Sequence, residues 1–411
     1  MKKLLKILGG VLGLVVLAVG GFLLKVQLGG IPHYTPERVT LTVESTPERV
    51  ARGRNLSNAL CAGCHMNVAT GRLTGADMKA DDPFGKVWSY NITRHPTAGI
   101  GSWSDAELAV LLRTGIARDG RYTPPWMAKL PHLSDEDLAS VIAYLRSDDP
   151  VLEPSDVANV PSEPSFLSKF LCNVAFKPLP YPTKPIPQPD HSDPVAWGRY
   201  LTWNLDCYTC HSADFAKIDA MNPPASAGFM GGGNLVEGVV SPNLTPDPET
   251  GIGKWSEADF VRALRQGVRP DDTGIRYPMN AYSMLSVDEA KAIFAYLKTV
   301  PTLKNAVQRT PGPKITPEME AGKKVYLKYA CVSCHGEGGL GNCDLTKNRA
   351  HFATDDELAA FIGDPSATVP GSRMPAWKNV IQGEELQALL QHVRSLDKTP
   401  PDQVKAAGGS R

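Results

Sequence analysis

One five-residue string occurs three times in this chain: Cys61-Ala-Gly-Cys64-His65, Cys207-Tyr-Thr-Cys210-His211 and Cys331-Val-Ser-Cys334-His335. Two thiols one helical turn apart can add to the two vinyl groups of a haem, and the adjoining imidazole then reaches the iron from the same side. The competing uses of Cys-x-x-Cys are a thioredoxin-like redox pair and a zinc site. Three copies, each followed at once by histidine, favour haem over both. The expectation is three covalently bound haem c groups, attached through Cys61, Cys64, Cys207, Cys210, Cys331 and Cys334. His65, His211 and His335 then become the axial ligands on the attachment side. Of the eight cysteines, only Cys172 and Cys343 remain. In an oxidising compartment they are either a cross-link or two unpaired buried thiols, and sequence does not decide between these.

The N-terminus bears on compartment. Lys2, Lys3 and Lys6 precede an uncharged run from Ile7 to Leu24, closed by Lys25. A run of that length nearly matches a bilayer core, exceeds a usual signal-peptide apolar region and lacks a good cleavage site. It reads as an uncleaved inner-membrane anchor with the body in the periplasm, a cleaved signal being the alternative. Lys+Arg and Asp+Glu balance at 43 each, so no basic excess points to a nucleic-acid partner.

The chain also contains an internal repeat. Asn91-Ile-Thr-Arg-His-Pro-Thr-Ala-Gly-Ile-Gly-Ser-Trp103-Ser recurs as Asn243-Leu-Thr-Pro-Asp-Pro-Glu-Thr-Gly-Ile-Gly-Lys-Trp255-Ser, an offset of 152 residues. The same offset relates Arg113 to Arg265, Met127 to Met279 and Tyr144 to Tyr296. Two homologous modules are the simplest account, followed by a shorter third that lacks the Asn-to-Trp insertion. A glycine (Gly53, Gly198, Gly322) stands eight or nine residues before each first cysteine, where another helix backbone could approach closely. Ser134 and Ser286 read as N-caps of each module's last helix, and Tyr144 and Tyr296 as its core packing.

The fold expected is mainly α: three cytochrome c-like haem modules in tandem behind an N-terminal membrane helix. The boundaries read as anchor 1–30, module one 31–149, a proline-rich strap 150–194 and module two 195–300. A connector 301–315, module three 316–397 and a polar tail 398–411 follow. The strap holds eleven prolines and one apolar patch, Phe166 to Phe176, expected to pack on a module or a partner.

A six-coordinate electron carrier needs a second axial ligand, and methionine thioether raises the potential relative to a second histidine. Met127, Met279 and Met374 each sit in a proline-containing loop before the last helix of their module. They are the candidate distal ligands, with Met284 the rival in module two and His132 the nearest histidine that could replace a methionine. The other methionines read as hydrophobic filler. Arg113, Arg265, Trp103 and Trp255, with Asn91 and Asn243, are repeated residues between the two ligands. They are candidate haem-environment residues, either donating to propionates or, for the tryptophans, packing at the haem edge. No dinucleotide fingerprint, molybdenum site or catalytic triad is recognisable, so no catalytic residue is assigned.

The three motifs, the Asn-x-Thr…Gly-Ile-Gly-x-Trp-Ser strings and the Tyr277-Pro278-Met279 loop together resemble the cytochrome c subunit of membrane-bound bacterial dehydrogenases. The quinoprotein alcohol dehydrogenase and the flavin-containing gluconate, sorbitol and fructose dehydrogenases have such subunits. The resemblance covers nearly all of the chain beyond the N-terminal helix. It implies that His65, His211 and His335 are proximal ligands and Met127, Met279 and Met374 distal ones. It also implies electrons arriving from a separate catalytic subunit and leaving to ubiquinone or a terminal oxidase in the respiratory chain. Module one departs from the pattern at Arg94-His-Pro-Thr-Ala and at Thr123-Pro-Pro-Trp. The N-terminal anchor also differs from relatives with a cleaved signal and a C-terminal amphipathic segment. Two other readings follow from the residues: a haem enzyme with one open iron site, peroxidase-like or thiosulfate-oxidising, and a relay to an oxidase or reductase without a dedicated dehydrogenase.

Overall fold

The computed structural model describes residues 2–67, 70–78, 83–279, 281–308, 316–340, 344–369, 372 and 374–404. The chain divides into two compact units, Met1–Pro187 and Gln188–Arg411. Both are mainly helical, as the sequence predicts.

The first unit opens with α1 (Lys2–Gly29), whose segment Lys3–Gly29 is long and apolar enough to cross a membrane. The haem-motif region follows as α2 (Pro47–Leu60) and the one-turn α3 (Ala62–His65), then α4 (Asp105–Thr114) and α5 (Asp135–Leu145). A two-residue antiparallel pairing, β1 (Gly85–Lys86) with β2 (Glu163–Pro164), ties the strap back to the module, and α6 (Phe166–Val174) lies within the strap. The helix starts are chemically specified. The Thr46 and Ser134 hydroxyls accept from Arg49 and Asp137 N–H, and Ser104 forms a capping box with Glu107. Gly115, at φ 82°, ends α4 in the left-handed conformation that glycine adopts without strain.

The second unit holds α7 (Pro194–Asn204), α8 (Cys207–His211), α9 (Glu257–Gln266) and α10 (Val287–Leu297), with a small hairpin of β3 (Leu235–Val236) and β4 (Val239–Val240). The third module adds α11 (Ala321–Lys328), α12 (Val332–His335), α13 (Asn348–His351), α14 (Asp355–Gly363), α15 (Pro365–Thr368) and α16 (Gly383–Ser395). Modules two and three both lie in this unit. Val268 of module two is buried in the apolar cluster of Val325, Tyr326, Leu358, Trp377 and Leu390. Gly274 N–H donates to the Lys328 carbonyl at 2.7 Å.

Each module crosses its first helix over its last in the same way. A methyl on Gly53 would come within 1.9 Å of the Ser140 carbonyl oxygen and 2.8 Å of Tyr144 Cβ. On Gly198 the distances are 1.8 Å to the Ala292 oxygen and 2.9 Å to Tyr296 Cβ, and on Gly322 they are 2.1 Å to the Ala388 oxygen and 2.6 Å to His392 Cβ. Only the missing side chain lets α2 meet α5, α7 meet α10, and α11 meet α16 at backbone contact. Tyr144 and Tyr296 are buried in these crossings, as expected.

The strap runs along the first unit, bonded to it in succession. Leu73 donates to Val151, Arg94 to Leu152, and Leu179 to Thr114, while Asp135 N–H meets the Ile186 carbonyl at 2.9 Å. Outside the β1–β2 pairing, this proline-rich chain is held by single backbone bonds.

Candidate haem-binding sites

The three motifs fold alike. Cys64 and His65 N–H both donate to the Cys61 carbonyl, at 3.1 and 3.0 Å, and Cys334 and His335 repeat this on Cys331 at 3.2 and 3.0 Å. Each motif is thus a single helical turn that presents its cysteines i and i+3 on one side, with histidine next in line. Asp206 (φ 57°) and Ala330 (φ 57°) turn the chain sharply into the second and third motifs.

The histidines of modules one and two carry a specific orienting bond. His65 Nδ1 lies 2.6 Å from the Tyr90 carbonyl oxygen, and His211 Nδ1 lies 3.0 Å from that of Pro242. A carbonyl can only accept, so Nδ1 must carry the proton, which leaves the Nε2 lone pair free for a metal. Burial lowers both imidazole pKa values below the ordinary histidine value, against the opposing pull of these carbonyl bonds. The neutral ring is the form that ligates iron.

Burial pushes the Cys61, Cys207 and Cys331 thiols up to about 12. A thioredoxin-like pair needs a stabilised thiolate, and this environment does the opposite. Among the described residues no three His, Cys, Asp or Glu side chains converge as a metal-ion cage, as a zinc site would require. A cysteine pair one turn apart, followed by a histidine whose Nδ1 is already satisfied, fits a thioether-linked haem. When bound, that group supplies an iron centre that takes up and gives back one electron.

The orienting carbonyls explain the Asn-x-Thr repeat. Tyr90 and Pro242 each immediately precede the asparagine. Asn91 Oδ1 accepts from Thr93 N–H and Oγ1 at 2.9 and 2.7 Å, while its Nδ2 donates to Ser155 and Val157 carbonyls at 2.9 and 3.0 Å. Asn243 Oδ1 accepts from Thr245 at 2.9 and 2.8 Å, and its Nδ2 reaches Thr250 Oγ1 and the Leu303 carbonyl at 3.0 and 2.7 Å. These asparagines staple the histidine-orienting strand to the chain leaving the module. Their amides thus bond within the protein, which gives them a structural role.

The arginines behave likewise. Arg113 is fully buried; Nη1 donates to the Leu130 carbonyl at 2.9 Å and also to that of Leu133, and Nη2 to Asp135 at 2.9 Å. Arg265 Nε donates to the Leu285 carbonyl at 2.6 Å, with Nη2 3.5 Å from that of Ser283. Both clasp the loop between the candidate methionine and the last helix. They hold the distal loop in place. Trp103 and Trp255 are half-buried at the loop edge; Arg118 stacks over the Trp103 ring at 5.1 Å, and Arg146 binds the Trp103 carbonyl.

Met127 and Met279 lie in the loops before α5 and α10, their N–H groups bonded to Pro124 at 3.1 Å and Arg276 at 3.0 Å. Met374 precedes α16 and packs, partly buried, against the third module's apolar cluster. Cys172 is a free, fully buried thiol, and Cys343 lies outside the described residues.

The comparisons with known proteins agree with this chemistry. A family model described as cytochrome c oxidase, cbb3-type, subunit III matches residues 48–145 and again 317–393, and one described as cytochrome c matches 195–301. The chain is 27% identical over 84% of its length to a nicotinate dehydrogenase component of Pseudomonas putida, of which the match spans 30%. It is 27% identical over 72% of its length to the fructose dehydrogenase cytochrome subunit of Gluconobacter japonicus, spanning 65% of that protein. The chain thus covers less than two thirds of either of these two relatives. Against the gluconate 2-dehydrogenase cytochrome c subunit of Pantoea cypripedii it is 29% identical, over 84% of this chain and 85% of the relative. With its helical modules and attachment turns, the chain carries cytochrome c domains, which imply covalently bound haem c, and its relatives are cytochrome c subunits of bacterial dehydrogenases.

Proposed function

We propose that this chain is a three-haem electron relay anchored in the inner membrane by α1, its modules on the periplasmic side. It takes electrons from a separate dehydrogenase catalytic subunit and passes them to ubiquinone or a terminal oxidase. The observation that carries the reading is the recurrence of one attachment turn in three modules, two of them with the same Nδ1-to-carbonyl bond. The coordination set is His65 with Met127, His211 with Met279, and His335 with Met374. Occupying both axial positions of each iron leaves none open for substrate, which suits a carrier rather than a haem enzyme.

The chain's own residues orient and shield. The Tyr90 and Pro242 carbonyls hold each imidazole in one tautomer, and Arg113 and Arg265 hold the loops that present the methionines. Little must move when charge arrives.

The test is a redox titration of the purified full chain beside its Met279→His variant. Three haems per polypeptide are expected, and the variant should lower one midpoint while leaving two nearly unchanged. An unaltered titration removes Met279 from the ligand set. Avid carbon monoxide binding at one haem of the native protein would replace the relay by a haem enzyme.

A further inference from the structure

An ordinary surface helix turns its apolar stripe inward. The strap helix α6 does the reverse. Phe166, Leu167, Phe170, Leu171 and Val174 fall within an arc of about 140° at 3.6 residues per turn. From that arc Phe166, Leu167 and Val174 stand 44%, 40% and 46% exposed, whereas Ser168 and Cys172, on the opposite side, are fully buried. The helix is fastened by polar bonds. On the inward side Ser168 Oγ donates to the Phe84 carbonyl at 2.7 Å, and at the edge of the stripe beside Phe166 the Asn173 Nδ2 donates to the Gly30 carbonyl at 3.0 Å. The outward apolar face is therefore built into a fixed position, not left by loose docking.

That position is against α1. Phe170 meets Phe22 edge-on with ring centroids 6.2 Å apart, and Phe166 stacks on Phe170 at the same separation. Phe22 lies within the apolar segment Lys3–Gly29, one helical turn before Lys25. At about 1.5 Å per residue that segment is roughly 40 Å long, against a hydrocarbon core of about 30 Å. Its side chains stand bare for most of that length, Leu14 at 70% and Leu17 at 73% exposed. Whatever layer surrounds Phe22 also surrounds Phe170. With α1 spanning the bilayer and Lys25 at the headgroups, Phe22 sits in the outermost acyl region.

We propose that α6 is an interfacial membrane helix: Phe166, Leu167 and Val174 enter the outer acyl layer of the periplasmic leaflet beside α1, and the first module is thereby seated on the lipid surface. The inference rests on the reading of α1 as a membrane span. The lipid bilayer is the occupant because the apolar face is continuous with a helix that is itself bare and membrane-length. Lys169 and Lys177 flank the stripe, as headgroup-level cations do at such helices.

The experiment uses the full chain in lipid nanodiscs of phosphatidylethanolamine and phosphatidylglycerol carrying an acyl-chain diazirine. Photolysis and peptide mapping should place adducts on α1 and on residues 166–174. A Leu167→Glu, Val174→Glu variant should lower the 166–174 adducts about tenfold while leaving those on α1 unchanged. Adducts on α1 with none on 166–174 would overturn the interfacial helix and leave the span intact. That outcome is also the one expected if a protein partner covers α6 instead. Adducts on neither helix would remove the membrane span and the inference with it. Unchanged haem spectra in the variant separate lost lipid contact from lost fold.

Discussion

Modules one and three cross their terminal helices by the same glycine contact, yet they secure the rest of the haem crevice by different means. Module one staples the histidine-orienting strand with Asn91 and clasps the methionine loop with Arg113. Among the described residues of module three the anchors are shifted onto α16. Asn348 Nδ2 donates to the Val393 carbonyl at 3.0 Å, and Arg394 Nη1 to Asn348 Oδ1 and the Phe352 carbonyl at 2.7 and 2.9 Å. Module three also buries its cluster against Val268 of module two. The helix crossing is thus the common requirement, and the polar staples are local solutions to holding long loops. Where the loop is short and a neighbour supplies apolar area, the Asn-x-Thr staple is dispensable.

The glycine crossing gives the largest expected effect. Gly198→Ala would put Cβ 1.8 Å from the Ala292 carbonyl oxygen, so the helices must part, at a cost of ~3 kcal/mol or more. Gly53→Ala and Gly322→Ala should fail alike, read as loss of one reduction wave and a lower denaturation midpoint. If Gly322→Ala is tolerated while Gly53→Ala is not, the equivalence of the modules breaks.

Removing an arginine clasp comes next. Arg113→Ala strands the Leu133 carbonyl and leaves that of Leu130 only the Leu133 N–H at 3.4 Å, costing about 2–4 kcal/mol. The methionine–iron charge-transfer band of module one should weaken, with the third module unaffected. Arg113→Lys should recover only part, since one ammonium cannot reproduce the planar fork that meets two carbonyls and Asp135. A variant spectrum identical to the native one would dissociate Arg113 from the distal loop.

The smallest effect sharpens the comparison at the crossing itself. His392 of module three occupies the place of Tyr144 and Tyr296. Tyr296 accepts from Trp203 Nε1 at 3.1 Å, whereas among the described residues neither His392 ring nitrogen has a hydrogen-bond partner. Nδ1 lies 3.5 Å from a Glu320 carboxylate oxygen without such a bond. Replacing a buried, unsatisfied imidazole by an apolar ring in His392→Phe should raise module three's stability by about 1 kcal/mol. Equilibrium denaturation followed at the third haem measures this, and a destabilised variant would show that the imidazole is needed.

Local features were legible in the sequence because their partners are local. The attachment turns, the caps Ser134 and Ser286, and the methionine loops before α5 and α10 all depend on residues a few positions away. Helices α4 and α9 announce themselves by Ser104…Glu107 and Ser256…Asp259 capping boxes ending at Gly115 and Gly267, a signal as local as the attachment motifs. The roles of Asn91 and Arg113 were not legible. Each is a polar residue between two candidate ligands, and its acceptors come from chain about 20 to 66 residues away. Equally hidden was the reversal of α6, whose amphipathic pattern is plain in sequence while the side that faces protein is not.

The amino-acid sequence alone determined the chemistry of attachment and the number of candidate modules, because a covalent link needs only two thiols one turn apart and a histidine beside them. Tertiary structure decided which side chains hold the loops, that Val268 of module two is buried in the apolar cluster of module three, and which face of the strap helix stays bare. A hydrogen-bond donor chooses among all acceptors within reach once the chain has closed, and closure over tens of residues is not written in any short string.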